Sequence, residues 1–187
     1  MSNSNLFKEN KIEYLTHFTS IYNLQSILKN GILSVDYMNK NNIVYSRTDK
    51  NRFDNQLDFI SVSLNVINKK MLYKKIYNNK RLLNIWVILI LDLTLLDTID
   101  TDMYYCYKNA SSSEIKTLLR EDSKQLMDIN KFLVSEDIQK EILIKERISV
   151  KYIKGIVVKD FNEKDIVNSL VVASGRNIPI ICKREMF

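Results

Sequence analysis

Histidine, proline, cysteine and glycine are all scarce in this chain, which has one, one, two and three of them in 187 residues. The two cysteines, Cys106 and Cys182, lack CxxC or Cys/His spacing. That excludes a zinc site and a disulfide framework, and it predicts a reduced, cytoplasmic setting. So few glycines and a single proline leave little room for linkers, so one domain over residues 1–187 is expected. There is no Gly-rich phosphate loop, no GxSxG elbow and no HExxH pair, and the common nucleotide and hydrolase sites therefore have no support. A hydrolytic triad would have to use the one histidine, His17. The most apolar stretch, residues 85–96, is too short for a bilayer, which takes about 20 apolar residues. The opening MSNSNLFKENKIEY is polar and has no apolar run before a small-residue cleavage site, so no secretory signal is predicted.

What the chain does have is a globular composition, 45% hydrophobic and 27% charged, with no repeat and no low-complexity tract. A net charge of +6 favours an anionic partner, although the same surplus is ordinary for a solvated surface.

Residues 13–18 (EYLTHF) mix aromatic and β-branched types and predict a first strand. Thr19 and Ser20 then offer N-caps for a helix carrying Leu24, Ile27 and Leu28, and Gly31 stops it. Residues 36–58 are polar and weakly periodic, which predicts a long loop with at most short helices. FISVSL at 59–64 alternates as a strand, residues 68–77 form a short amphipathic segment, and IWVILILDL at 85–93 reads as the central strand, covered on both faces. Ser111 to Ser113 cap a helix predicted to run through Ile115, Leu118, Leu119 and Leu126. EILIK at 141–145, GIVVK at 155–159, a helix near 163–173 and a last strand at 178–182 complete the pattern. Strands and helices mix irregularly, so the fold class is α+β.

Three places carry candidate chemistry. His17, near the end of the first strand, reads on its own as an imidazole satisfied by a backbone carbonyl. Glu141, at the entrance of a hydrophobic strand, is either a solvated carboxylate or, set in a cleft, one that stabilises the cationic state of NAD cleavage. In an extended strand Gln139 would share its face. Arg47 and Arg52 are each a surface charge or a bidentate clamp for a pyrophosphate, and only one of them is needed for that.

Together these segments resemble, in order and over most of the chain, the DarT family of DNA ADP-ribosyltransferases. The resemblance lies in LTHFTSIYNLQSILKNGILS, NRFDNQLDFISVSL with KMLY, IWVILILDLTLL with YCYKNASS, and QKEILIKERISVKYIKGIVV. It implies an ADP-ribosyltransferase fold with an NAD cleft between two small central sheets and helices at the periphery. It further implies NAD as co-substrate, no metal, single-stranded DNA as acceptor, and a macrodomain antitoxin that removes ADP-ribose. By position, Glu141 would be the catalytic carboxylate and Arg52 would meet the NAD phosphates and the target base. His17 and Thr19 would contact the nicotinamide end, and Asn23 the dinucleotide. Read from the residues rather than by position, the DNA is expected to lie across a basic, aromatic-containing surface, stacking on Tyr73 or Tyr107 and meeting Lys74, Lys75 or Lys108, with Asn109 also assigned to the nucleic acid. The Arg52-Phe53-Asp54 and SVSL blocks lean toward the guanine-modifying branch. The rival readings are transfer to RNA or protein, and a non-catalytic basic nucleic-acid-binding domain that leaves NAD intact.

Overall fold

The computed structural model describes residues 2–46, 56–78, 84–98 and 103–187. In chain order, helix α1 (Asn3–Glu9) is followed by strand β1 (Leu15–Ser20), helix α2 (Ile21–Asn30), strand β2 (Ile32–Leu33) and helix α3 (Val35–Lys40). Next come β3 (Phe59–Leu64), α4 (Lys69–Asn78), β4 (Trp86–Leu91), α5 (Leu95–Thr98) and β5 (Met103–Cys106). The chain continues with α6 (Ser113–Arg120), α7 (Ile129–Val134), β6 (Glu141–Lys145), β7 (Arg147–Ile148), β8 (Ile153–Val158), α8 (Phe161–Ala173) and β9 (Ile180–Cys182).

The class is α+β, as expected, but the two small sheets of the sequence reading are two halves of one. Seven strands hydrogen-bond in the order β5-β6-β3-β1-β4-β8-β9, and β2 pairs with β7 in a separate ribbon. All neighbours are antiparallel except β8 and β9. The halves meet at a narrow neck. β1 pairs with β4 along its whole length, from Leu15↔Leu91 to Ser20↔Trp86, yet it meets β3 only at Leu15↔Leu64 and Thr16↔Ser63. Beyond Ser63, β3 pairs with β6 instead, from Val62↔Ile142 to Phe59↔Lys145. Two strands that share one end of a ladder and part at the other leave a wedge between them, and that wedge is the cleft.

The elements form where local chemistry asks for them. Gly31 at φ 87° ends α2, and a Cβ there would lie 2.3 Å from the Ile148 carbonyl oxygen, so this crossing of α2 over β7 requires glycine. FISVSL is β3 as predicted. WVILIL is almost wholly buried, as a strand covered on both faces should be.

One expectation changes, and two elements appear in segments to which the sequence reading gave no structure. The helix predicted from Ser112 to Leu126 stops at Arg120, where Asp122 turns to φ 48°, and a 3-10 turn over Lys124–Met127 carries Leu126 into the core. Apolar periodicity bridged the break because both pieces face the same core. YCYK contains the end of a strand, β5, and the polar opening contains α1, capped by the Ser2 side chain, whose Phe7 is fully buried. α1 is tied down from afar, the Asp97 carboxylate accepting from the Ser4 amide at 2.9 Å.

Candidate functional site

A cavity of about 300 Å³ occupies the wedge. One wall is the free end of β1 with the first turns of α2, giving His17, Thr19, Ser20 and Asn23. The other wall is the opposing edge of β3 with the loop before β6, giving Phe59, Ser61, Gln139 and Glu141. Asn109 and Ala110 close one end, and Ile32, Val35, Met38 and Tyr45 make an apolar flank. At this size the cavity sits at the lower end of small-molecule sites, and its mixture of an apolar wall with a few convergent polar groups is typical of them.

Glu141 is held at both of its carboxylate oxygens. Its Oε1 accepts the Ala110 amide at 2.8 Å and its Oε2 accepts the Ser61 hydroxyl. Register explains the second bond. Ser61 lies opposite Leu143, so Glu141 is its diagonal neighbour across the β3/β6 ladder, within reach of a long side chain. The first bond depends on a turn, in which the Asn109 carboxamide oxygen accepts the Ser111 amide at 2.9 Å and aims the Ala110 amide at the carboxylate. A carboxylate with both oxygens occupied is held in one orientation, here at a half-buried point of the cleft.

His17 stands where the β1/β3 ladder opens. Its Nδ1 lies 2.9 Å from the Ser61 carbonyl oxygen, so the imidazole bridges the gap that backbone pairing leaves. The carbonyl-satisfied reading of His17 is met, and the residue also lines the cavity. Thr19 is buried, and its hydroxyl accepts from the Asn23 carboxamide at 3.2 Å. Asn23 also grips the backbone of Ser46 at both ends, donating to its carbonyl at 3.1 Å and accepting its amide at 2.6 Å. It thus ties Ser46 to α2. Arg47, Arg52 and Asp54 lie outside the described residues.

Gln139 lines the cavity with Glu141, but not through strand alternation, since it belongs to the turn before β6. That turn is fixed by Lys140, whose ammonium donates to the carbonyls of Phe132, Leu133 and Ser135 at 3.1, 3.2 and 2.6 Å, closing the last turn of α7. Burial lowers the Lys140 pKa.

The expected nucleic-acid residues divide. Asn109 is in the cavity, and Lys75 and Met71 of α4 line its mouth, with Tyr73 exposed on the same helix. Tyr107 is not in the cavity. Its ring is buried, Lys131 covers it at 4.1 Å, and its hydroxyl donates to Glu114 at 2.5 Å. Burial first and the Glu114 carboxylate second push this phenol up to about 12, so it remains a neutral donor. Lys108 is occupied with the same carboxylate at 2.6 Å. The sequence reading missed Ser61 and Ala110. The alternation of FISVSL placed a serine on the cleft face, but nothing local showed that Glu141 would be its neighbour.

Among the described residues, no group of three or more His, Cys, Asp or Glu side chains is arranged to hold a metal ion. No described helix is long and apolar enough to cross a membrane.

Comparison with known proteins identifies the family and the fold. The family model described as "DarT: ssDNA thymidine ADP-ribosyltransferase, DarT" matches residues 16–187. No curated protein matches the sequence significantly. Among solved structures, Thermosipho africanus DarTG in complex with ADP-ribose is similar at 22% identity and TM-score 0.59, over 94% of this chain and 51% of that one. The present chain thus spans about half the length of that protein. Thermus sp. 2.9 DarT in complex with carba-NAD+ is similar at 13% identity and TM-score 0.63, over 95% of this chain and 98% of that one. The same protein in complex with ADP-ribosylated ssDNA gives 12%, 0.63, 95% and 97%. At these identities the solved structures speak for the fold.

Proposed function

This chain belongs to the DarT family of ssDNA thymidine ADP-ribosyltransferases, and on that premise we propose that it transfers the ADP-ribose of NAD to a base of single-stranded DNA and releases nicotinamide. The observation that carries the reading is the Glu141 carboxylate, held by the Ser61 hydroxyl and the Ala110 amide in the wedge where β1 and β3 part. NAD supplies the sugar carbon to be attacked and the nicotinamide that leaves.

The residues divide the work. Glu141 fixes a negative charge where positive charge grows on the ribose, and because its orientation is set beforehand it costs no rearrangement during reaction. The same carboxylate takes the proton that the attacking base nitrogen loses as its new bond to the sugar forms. His17 and Thr19, on the opposite wall, position the nicotinamide end, and Gln139 reaches the cavity beside Glu141. Asn23 holds the backbone of Ser46 beside the cavity, and the pyrophosphate clamp is assigned to Arg52, which lies outside the described residues. Bases inside a duplex are shielded, so the acceptor is a single strand or an extruded nucleotide.

The family description names thymidine as the acceptor nucleoside, whereas the Arg52-Phe53-Asp54 block leans to guanine. Mass spectrometry with fragmentation of a mixed-sequence single-stranded oligonucleotide after incubation with NAD reads the base directly. Parallel reactions with RNA and protein test the other acceptors. The partner of such a toxin is a macrodomain antitoxin that removes the ADP-ribose. The decisive variant is Glu141→Gln. It keeps shape and acceptor for the Ala110 amide but loses the charge, and transfer is expected to fall by about a hundredfold to a thousandfold with unchanged thermal unfolding. Wild-type transfer in that variant would overturn the assignment.

A further inference from the structure

The net charge has a location. Residues 59–91 contain six of the chain's 28 basic residues and none of its 22 acidic ones, so the rest of the chain carries 22 of each and is balanced. The whole surplus of +6 thus falls on one segment, whose best-exposed described element is α4, KKMLYKKIYN.

α4 has two faces. Leu72 and Ile76 pack into a core formed with Trp86, Ile88 and Phe187, while Met71 and Lys75 line the mouth of the catalytic cavity. The opposite face, at the i, i+3, i+4, i+7 spacing of one helix side, presents Lys70, Tyr73, Lys74 and Tyr77 to solvent. Tyr77 is 90% exposed and Tyr73 56%, which is unusual for two large rings in one short helix. The helix is a rigid mount. Lys69 donates to the Glu185 carbonyl, and the Tyr73 hydroxyl donates to the Phe187 carbonyl at 3.0 Å.

We propose that this outer face of α4 is the track for the strand flanking the base under modification, a deepening that rests on the reading of the acceptor as single-stranded DNA. Rings one helical turn apart are separated by about 6 Å along the axis. Stacked bases of a duplex repeat at roughly 3.4 Å. The two tyrosines therefore match an extended strand, each ring taking one base face, with the lysines meeting the phosphates between. No acidic side chain lies between Asp58 and Asp92 in the sequence, so α4 itself contributes no repulsion to a phosphate backbone.

The test is anisotropy of a labelled mixed-sequence oligodeoxynucleotide of about a dozen nucleotides, titrated with wild type, Tyr77→Ala and Lys70→Gln/Lys74→Gln across a salt series. NAD binding is measured in parallel. Tyr77→Ala is expected to weaken strand binding by about fivefold to a hundredfold. The double lysine variant is expected to flatten the slope of log affinity against log salt by about 1.4. Both should leave NAD affinity unchanged. Unaltered strand affinity and salt slope in both variants would overturn the track, as would variants that weaken only binding of the matching oligoribonucleotide. If wild type binds the DNA and the variants weaken it while no base is modified, the track stands and the transferase reading fails.

Discussion

Removing a single oxygen tests how the carboxylate is held. In Ser61→Ala the Glu141 Oε2 loses its hydroxyl donor, while the Ala110 amide still holds Oε1 and the Ser61 backbone carbonyl still meets His17. A hydrogen bond to a charged group contributes about 1.5–3 kcal/mol. The Ala110 amide still holds the carboxylate and the site is only half-buried, so the lower end applies, near 1.5 kcal/mol, or about tenfold in kcat. Because β3 keeps its backbone pairing with β6, the loss should fall on kcat rather than on the KM for NAD, with little change in thermal midpoint. Ser61→Thr keeps the hydroxyl and suits a strand, so it should restore most of the rate. The assay is steady-state nicotinamide release with saturating oligonucleotide, repeated in the Glu141→Gln background. There Ser61→Ala should cost little, since its partner's charge is already gone. A kcat within about twofold of wild type in Ser61→Ala, or full additivity of the two changes, would refute the argument that this bond orients the carboxylate.

Further outcomes follow from other parts of the fold. Gly31→Ala puts a methyl 2.3 Å from the Ile148 carbonyl at a positive φ. It should destabilise by on the order of 3 kcal/mol, a fall of about 6–12 °C in thermal midpoint by calorimetry, and an unchanged midpoint would contradict the crossing described. Lys140→Met leaves the carbonyls of Phe132, Leu133 and Ser135 without their ammonium donor. Faster amide exchange in residues 133–140 and a lower kcat are expected, with partial recovery in Lys140→Arg, and exchange like wild type in the methionine variant would argue against the cap. The Thr94 amide first, and the Thr94 hydroxyl and Lys154 with it, hold the Asp92 carboxyl below its ordinary 3.8, opposed by partial burial. A depressed carboxyl stabilises the fold above its unfolded pKa and loses that contribution as pH falls through the folded value. Denaturation curves of wild type and Asp92→Asn should therefore differ above pH 3.8 and converge below it, and a constant gap across that range would refute the linkage.

Local chemistry was enough for much of this protein. The alternation of FISVSL, the apolar run of β4 and the glycine that ends α2 act within a few residues of themselves, and each was legible in the chain; the expected cap of α2 was not met, since Ser20 holds the N-cap position without a side-chain hydrogen bond. His17, Gln139 and Glu141 were candidates on local chemistry, Thr19 and Asn23 only through the family resemblance and Asn109 only as an expected nucleic-acid contact, and the structure brings these six to one cavity. What tertiary structure alone decided was how they meet. The parting of β1 from β3 after two residue pairs is a property of the ladder, as is the diagonal that brings Ser61 to Glu141 over eighty positions of sequence. The burial of Tyr107 and the break after Arg120 likewise depend on what packs against them. Propensity and periodicity report a residue's neighbours along the chain, whereas the cleft is made by neighbours across it, and these are chosen only when the whole sheet is assembled.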